Sequence, residues 1–433
     1  MKEREKTQAG DRKKLSGWAN YPTVESDVFQ PENAEELRRI ILDSDRIIAR
    51  GNGKSYGDAS LGKRVACMLS MNGILSFDPG TGIITCEAGV LLSDILPVIV
   101  PSGWFFHVTP GIKSITVGGA VASDVHGKNH PEKGCFSNWL LSFRLMDAGG
   151  AILTCSREEN PSLFWQTCGG MGWTGVILSA TFQLMRITSV SMHQQTVRAR
   201  NLEEMFRQFE EQKACTYAAA WIDTTASGRD QGKGTALFAE HLPGDKALNW
   251  DTGKPADVPF FAPSWLLNPA SIRLHNQIYY RRNKPGERVI HLDKYFYPLD
   301  GITNWNRLYG RRGFIQYQFC LPGPASFDGI REVLNTISAS GEVPFLSVLK
   351  RHGDRPSPAI NSFPVKGYSL ALDFPRTRRL TALLSRLDGL VWKHGGKIYL
   401  AKDAVSGAGM GRVDMKQFTE KKFTSALRER LEQ

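Results

Sequence analysis

Residues 107–130 read HVTPGIKSITVGGAVASDVHGKNH, and they contain few bulky side chains between Thr116 and Ser123. Gly118 and Gly119 let this backbone approach another group closely, because glycine has no Cβ atom. Backbone N–H groups exposed in such a stretch can bind an anion, and a pyrophosphate suits them. Taken alone, however, the VGGA motif is more typical of a tight turn between two strands.

A second glycine-rich segment, ARGNGKSYGDA at 49–59, follows the apolar run RIIAR at 46–50. A strand that leads into the GNG motif at 51–53 resembles the start of a Rossmann dinucleotide site. The third glycine, Gly57, comes one position too late, and the next residues lack the apolar stripe of a Rossmann helix. A third glycine-rich segment, GGMGWTG, lies at 169–175. Together the three segments favour a large dinucleotide cofactor outside a Rossmann fold.

The composition is that of an ordinary soluble globular protein, with 22% charged and 41% hydrophobic residues. A chain of 433 residues is long enough for two or three domains. No window approaches the roughly eighteen uninterrupted apolar residues of a membrane span. The basic start, MKEREKTQAGDRKK, has no apolar run behind it, unlike a signal peptide. These features predict a cytoplasmic protein.

The formal net charge of +11 favours an anionic partner, such as a phosphorylated substrate or an anionic membrane surface. Nucleic acid is a weaker interpretation, because the basic clusters are short and no aromatic-interleaved RNA motif occurs. The seven cysteines are scattered and never have CxxC spacing. This pattern is typical of reduced thiols, and we expect no metal site.

The first 190 residues alternate short β-type runs with a few helical ones and indicate an α+β region. Later in the chain, GFIQYQFCLP, PFLSVLK, GYSLALDFP and KIYLAKD predict strands, and FDGIREVLNTIS and RRLTALLSRLDGLVWKHGG predict helices. This order predicts an antiparallel sheet backed by helices. The segment FFAPSWLL at 260–267 suits a lid or a contact with an apolar partner. A loop folded back on its own domain is an equally good interpretation.

The segments ARGNGKSYGDA, TVGGAVASDVHGKNH and GGMGWTGVILSATF together resemble the FAD-binding domain of the vanillyl-alcohol oxidase (PCMH-type) flavoprotein family. Within that family, HGKNH, FIQYQF, FLSVLK and YLAKD resemble the decaprenylphosphoryl-β-D-ribose 2-oxidase group. The resemblance runs from about Leu15 to Asp403. It implies an α+β fold with a PCMH-type FAD-binding domain in two parts, 1–190 and a C-terminal return at 397–433. Between them it implies an antiparallel-sheet substrate (cap) domain at 191–396.

The same resemblance implies an FAD-dependent oxidoreductase of cell-wall biosynthesis. Its expected reaction is oxidation of the 2-hydroxyl of a polyprenyl-phosphoryl pentofuranose to a ketone, by hydride transfer to FAD, as the first half of an epimerisation. A lipid-linked sugar, a short-chain reductase and a peripheral contact with the inner membrane are the implied partners. A soluble aldonolactone or alditol oxidase of the same family is the alternative. Many members tether FAD to a histidine at the position of Lys54, so we expect FAD to be bound non-covalently.

By resemblance, the cofactor site includes residues of all three glycine-rich segments. The residues assigned to FAD are Arg50, Gly51, Asn52, Gly53, Lys54, Ser55, Tyr56, Gly57, Asp58, Gly111, Thr116, Val117, Gly118, Gly119, Ser123, Val125, His126, Gly172, Ile177, Tyr399 and Lys402.

Three of these residues are also assigned to catalysis. Lys402 is the first choice, because an inward-pointing amine can stabilise the reduced flavin, hold the reacting hydroxyl or act as a base. An edge lysine in water is the competing interpretation. His126 is placed against the isoalloxazine and Tyr56 at its edge by resemblance, and ordinary core packing is the alternative for both.

The predicted substrate residues lie on the strands of the second domain. Gln316 and Gln318 alternate with Tyr317, so both amides face one side and suit sugar hydroxyls. Two glutamines on a solvated sheet face are the alternative. Lys350 could pair with phosphate and Trp221 could wall the sugar ring. Where actinobacterial members carry Asn and Cys, this chain has Ser369, assigned to substrate, and alanine two residues later, which leaves the exact sugar and lipid open.

Overall fold

The computed structural model describes residues 10–244, 248–263, 265–355, 357–407 and 415–433. The first nine residues of the predicted FAD-binding domain and residues 408–414 of its predicted return lie outside the described residues. The first sheet has the order β1-β2-β4-β3, and its strands are β1 (Asp11–Ser16), β2 (Thr23–Phe29), β3 (Ile48–Arg50) and β4 (Arg64–Cys67). Strand β3 is the predicted RIIAR strand, and it delivers the chain directly into the first glycine-rich loop.

The second sheet contains the next six strands and is antiparallel. They are β5 (Ile74–Asp78), β6 (Ile83–Glu87), β7 (Trp104–Phe106), β8 (Leu140–Met146), β9 (Ile152–Ser156) and β10 (Val176–Arg186). The order is β5-β6-β10-β8-β9, with β7 also paired to β10. Strands β8 and β9 form an antiparallel hairpin.

Ten further strands follow. They are β11 (Ser191–Ala199), β12 (Tyr217–Ile222), β13 (Gly234–His241), β14 (Ala256–Asp257), β15 (Gly286–His291), β16 (Ile302–Thr303), β17 (Phe314–Pro322), β18 (Leu346–His352), β19 (Gly367–Pro375) and β20 (Lys397–Ile398). Strands β14 and β16 pair with each other, and the other eight form an antiparallel sheet of order β15-β11-β13-β12-β18-β19-β17-β20. This sheet confirms the predicted antiparallel second half.

The helices of the described residues are distributed over both halves. They are α1 (Ala34–Leu42), α2 (Leu92–Ile99), α3 (Val117–Ala122), α4 (His130–Lys133), α5 (Pro161–Thr167), α6 (Leu202–Glu211), α7 (Pro269–Arg282), α8 (Leu292–Phe296), α9 (Gly323–Ser340), α10 (Leu380–Lys393) and α11 (Ala426–Glu432). None of them is long and apolar enough to cross a membrane.

The large sheet has one face covered by helices and one face turned towards the glycine-rich loops. Helices α6, α9 and α10 pack on the first face, where Tyr317 and Phe319 of β17 join the apolar core. Gln316 and Gln318 alternate with them and therefore point to the other face. The predicted α+β architecture, with a sheet backed by helices, is confirmed.

The predicted strand KIYLAKD is mostly a turn. Pairing with β17 ends at Ile398, and the N–H groups of Lys402 and Asp403 both donate to the carbonyl of Tyr399. Lys402 therefore lies in a tight turn beyond the sheet edge, where the strand alternation rule does not apply. We propose 1–190, 191–396 and 397–433 as domain limits, a division supported by the change of sheet between β10 and β11.

Candidate active site

A cavity of about 800 Å³ lies between the glycine-rich loops and the open face of the large sheet. Its volume is within the usual range for sites of small molecules and cofactors. All the residues predicted for catalysis and for the substrate line it: Lys402, His126, Tyr56, Gln316, Gln318, Lys350, Trp221 and Ser369. The predicted cofactor residues that line it are Arg50, Gly51, Asn52, Gly53, Lys54, Ser55, Tyr56, Gly111, Thr116, Gly118, Gly119, Ser123, Val125, His126, Gly172, Ile177, Tyr399 and Lys402.

The first glycine-rich loop supplies backbone donors to this cavity. The N–H groups of Gly53, Lys54 and Ser55 have no acceptor among the described residues. A Cβ atom on Gly51 would lie 2.2 Å from Thr116 Oγ1, so glycine lets this loop reach the second glycine-rich segment. Free amides beside lysines and arginines fit the pyrophosphate of a dinucleotide.

The second glycine-rich segment differs from the prediction of exposed amides at 116–120. The N–H groups of Val117 and Gly118 donate to the carbonyls of Val90 and Ala88, and that of Gly119 donates to Thr116 Oγ1. These donors are used inside the protein because the segment forms the start of α3. Its glycines serve close packing instead, since a Cβ atom on Gly118 would lie 2.9 Å from that of Ala88.

Three predicted cofactor residues, Gly57, Asp58 and Val117, do not line the cavity. Val117 is fully buried in the core of the first half. A Cβ atom on Gly57 would lie 1.6 Å from the carbonyl oxygen of Asp403, so this glycine packs against the turn that carries Lys402. Asp58 forms an ion pair with Arg430 of α11. These three residues therefore support the cavity wall by packing and by an ion pair, and they do not face the cavity.

The described lining of the cavity is strongly cationic. It includes no aspartate or glutamate, whereas seven lysines and arginines contribute to it: Arg50, Lys54, Lys128, Arg288, Lys294, Lys350 and Lys402. Such a surface attracts anions and favours a phosphorylated occupant. Lys128, Arg288 and Lys294 were not predicted from the sequence. Lys128 was missed although it lies two residues after His126, whereas only the fold brings Arg288 and Lys294 to the cavity.

Lys402 is held over an aromatic ring, with Nζ 3.5 Å from the ring centroid of Tyr56. Burial lowers the pKa of Lys402 to about 7, although the carboxylate of Asp373 opposes this shift. The amine is therefore divided between its neutral and charged forms near neutral pH. Tyr56 itself is buried, and burial raises its pKa well above the usual value, so its hydroxyl keeps its proton.

His126 is buried between Tyr399, Phe363 and His352, and its Nε2 lies 3.2 Å from Nε2 of Gln318. Burial lowers its pKa far below the usual value, so the ring is neutral and its Nε2 accepts from the Gln318 amide. The ring hydrogen then lies on Nδ1, which has no partner in the described structure. His126 thus fixes the orientation of the Gln318 amide.

Two other predicted side chains are also engaged within the protein. Gln316 Nε2 donates to Asp373 Oδ1 over 2.5 Å, and Ser369 Oγ lies 2.7 Å from His352 Nε2. Asp373 is buried, and burial raises its pKa to about 7. Sequence reasoning missed Asp373 and His352, although the sequence GYSLALDFP places Asp373 on the same face as Ser369.

Lys350 and Lys128 both line the cavity. Burial lowers the pKa of Lys350 to about 8 and that of Lys128 to about 7, and the charge of Lys350 contributes to the shift of Lys128. Lys128 Nζ donates to the carbonyl of Tyr295 and lies 4.2 Å from the ring centroid of that residue. Both amines are desolvated, and an anionic phosphate group bound beside them would favour their charged forms.

Comparisons with known proteins agree with this geometry. A family model described as an FAD binding domain matches residues 26–156. The decaprenylphosphoryl-β-D-ribose oxidase of Mycolicibacterium smegmatis is 32% identical over 412 residues, which cover 90% of this chain and 89% of that protein. An "uncharacterized protein in mprA 5'region" of Streptomyces coelicolor is 33% identical over 73% of this chain and 89% of its own length.

L-Gulonolactone oxidase of Bos taurus is 30% identical over 184 residues, or 39% of this chain and 40% of that enzyme. That match is limited to a minor part of the chain, whereas the mycobacterial similarity extends through the large sheet and the cavity wall that it forms. With the free amides of the first loop and the cationic cavity, this similarity identifies the cofactor as FAD. The chain belongs to the PCMH-type FAD-dependent oxidoreductase family that includes decaprenylphosphoryl-β-D-ribose oxidase.

Proposed function

We propose that this protein oxidises the 2-hydroxyl group of a polyprenyl-phosphoryl pentofuranose, such as decaprenylphosphoryl-β-D-ribose, to a ketone. The observation that carries the proposal is the group of basic residues that line the cavity outside the predicted FAD contacts. They are Lys128, Arg288, Lys294 and Lys350, and the described lining includes no aspartate or glutamate. This charge suits a phosphodiester-linked sugar. A sugar lactone, the substrate of the alternative aldonolactone oxidases, is neutral, so the basic lining would not attract it electrostatically.

Each of these cavity residues has a separate role in the proposed reaction. Bound FAD would supply the acceptor for the hydride that leaves the sugar carbon. Lys402 in its neutral form takes the hydroxyl proton, and the ring of Tyr56 then stabilises the ammonium that results. Gln318, oriented by His126, donates to or accepts from the sugar hydroxyls, and Lys350 with Lys128 binds the phosphate. Trp221 lies on the same face of the sheet, three strands away from Gln318 and beyond the sugar and its phosphate.

The proposal is tested by anaerobic reduction of the enzyme-bound flavin. A short-chain polyprenyl-phosphoryl ribose should bleach the flavin absorbance, while L-gulonolactone and simple alditols at the same concentration should leave it oxidised. Bleaching by the lactone or the alditols alone would establish the alternative. If no compound in the series bleached the flavin, the chain would bind FAD without turning over these substrates.

We expect the FAD to be bound non-covalently. Lys54 occupies the position of the tethering histidine, and its amine lies 3.6 Å from the ring centroid of Trp18. An ammonium group cannot form the flavin–imidazole bond that such a histidine provides. Precipitation of the holoprotein with trichloroacetic acid should therefore leave all flavin in the supernatant, and yellow colour in the washed pellet would contradict this.

We also propose a peripheral contact with the membrane and a reductase partner. Phe260 and Trp265 are 80% and 72% exposed, and the basic residues Arg273, Arg281 and Arg282 follow in or beside helix α7. Aromatic residues with neighbouring cations suit the interface of an anionic bilayer. Co-sedimentation with phosphatidylglycerol vesicles tests the contact.

The proposed reductase partner follows from the reaction. The ketone product must be reduced from the opposite face to complete an epimerisation, which requires a partner such as a short-chain reductase.

A further inference from the structure

One row of side chains crosses five strands of the large sheet on the face of the cavity. In order, Gln318, Ala371, Val348, Trp221 and Thr235 are cross-strand neighbours on β17, β19, β18, β12 and β13. All five residues line the cavity. Because neighbouring strands are about 4.8 Å apart, the row extends about 19 Å away from Gln318.

A sugar phosphate occupies only the beginning of this row. Lys350 lies two residues beyond Val348 on β18, so it has the same orientation and lies about 7 Å along the strand. A sugar held at Gln318 with its phosphate at Lys350 leaves the surface from Val348 onwards without a polar ligand. The cavity is therefore longer than the reacting part of the proposed substrate.

The middle of the row, between Gln318 and Thr235, is mostly apolar. We name as the corridor the residues Ala371, Val348, Trp221, Leu346 and Leu237, all of which line the cavity. Their strands are inner strands of the sheet, yet all of them except Trp221 are only partly buried, since they face the cavity instead of a core. A large, partly exposed apolar surface inside a protein is typical of a binding site.

Helix α7 forms the roof of the corridor. Tyr279 of this helix packs on Trp221, with ring centroids 4.7 Å apart, and His275 packs on Phe345 at 4.9 Å. Tyr279 and Ile302 line the cavity and are also 36% and 43% exposed, so the cavity reaches solvent beside them. On the outer side of α7, Leu274 and Ile278 are also exposed. An apolar chain can thus leave the corridor along an apolar rim.

We propose that the corridor is a subsite for the first isoprene units of the hydrocarbon chain attached to the substrate phosphate, an inference that rests on the proposed function. Four of the five corridor side chains, those of Ala371, Val348, Leu346 and Leu237, carry no hydrogen-bonding group, and Trp221 offers only its indole N–H. Thr235 Oγ1 at the far end has no partner within the described residues. A second sugar or a peptide placed there would find only this hydroxyl and the indole N–H of Trp221 in place of the water it loses. A prenyl chain gains free energy from the same burial.

The test is a series of phosphoryl riboses that differ only in chain length, with one, three and ten isoprene units. Because burial of each methylene group is favourable, KM should fall at least about tenfold from one to three units and change little beyond three.

Variants of the corridor test which residues cause this dependence. In Leu237→Asn and in Val348→Asn the ratio of the one-unit KM to the three-unit KM should fall to near one. Leu237→Met should keep the ratio, and so should Leu75→Asn, an exposed leucine of β5.

Equal KM values across the series in the wild-type enzyme would refute the role of the corridor as a prenyl subsite, while the proposed function would stand.

A second measurement tests the prenyl subsite independently of the proposed function. Farnesyl phosphate, which has no sugar, should quench tryptophan fluorescence through Trp221 in the wild type, and weakly in Leu237→Asn. Quenching without flavin reduction by any sugar would keep the corridor and refute the proposed function. Identical quenching in wild type and Leu237→Asn would refute the corridor. Flavin absorbance of each purified variant verifies its fold.

Discussion

Replacement of Lys402 by alanine is expected to slow the reduction of bound FAD by the sugar substrate about 10²–10⁴-fold, the usual loss when a general base is removed. The amine lies within the cavity, over the ring of Tyr56, on a turn fixed by hydrogen bonds to the carbonyl of Tyr399. The alanine variant should still bind FAD, because the free amides of the first loop remain. Stopped-flow loss of flavin absorbance under anaerobic conditions measures the effect.

The pH dependence of the same reaction tests the role of the amine. Burial lowers the pKa of Lys402 to about 7, and only the neutral amine can accept a proton. The rate of flavin reduction at saturating substrate should therefore rise from about pH 6 to about pH 8 and then level off. Lys402→Arg carries a permanent charge and should be as slow as the alanine variant at every pH.

Two outcomes would contradict this role. If Lys402→Arg kept most of the rate, the side chain would act by its charge alone. If the alanine variant reduced its flavin at the wild-type rate, another group would take the proton. Lys366→Ala is the matched control, because this lysine is exposed and pairs with the exposed Asp354.

The large sheet was predictable because its sequence signals are local. The alternation of Gln316, Tyr317 and Gln318 correctly places both amides on one face, since strand geometry decides this. The partners of those amides are not local. Asp373 lies on the neighbouring strand and His126 in a loop of the other half of the chain, so only the tertiary fold reveals that both glutamines are engaged.

The same distinction explains the errors near the cofactor. The sequence TVGG correctly indicates a close backbone approach, but the amides of Val117 and Gly118 are used by carbonyls of the residues 88–90. Nothing within the motif specifies those acceptors. Asp58 belongs to a loop motif of the family resemblance, yet its partner is Arg430, 372 positions later in the chain. A pair of residues this far apart in the chain produces no local sequence pattern from which it could be predicted.

Arg430→Met is expected to lower the free energy of unfolding by about 3–5 kcal/mol, the usual cost of breaking a buried ion pair. Arg430 Nη2 donates to Asp58 Oδ1 over 2.9 Å, and its Nη1 donates to Asp403 Oδ2 over 3.1 Å. Both carboxylates are buried, and Asp403 directly follows Lys402. Without the guanidinium, two buried charges lose their partner. Urea unfolding of the holoprotein measures the loss.

Arg46→Met is the matched control, because Arg46 also contacts α11 but pairs with Glu429 at the surface. An exposed pair contributes about 0–1 kcal/mol, so this variant should unfold almost like the wild type. Equal losses in the two variants would mean that attachment of α11, and not the buried charge, decides the effect. A triple variant that adds Asp58→Asn and Asp403→Asn to Arg430→Met should then distinguish the loss of α11 attachment from the cost of unpaired buried carboxylates. Stability returns in part if the cost comes from unpaired carboxylates, because the neutral amides remove the buried charge.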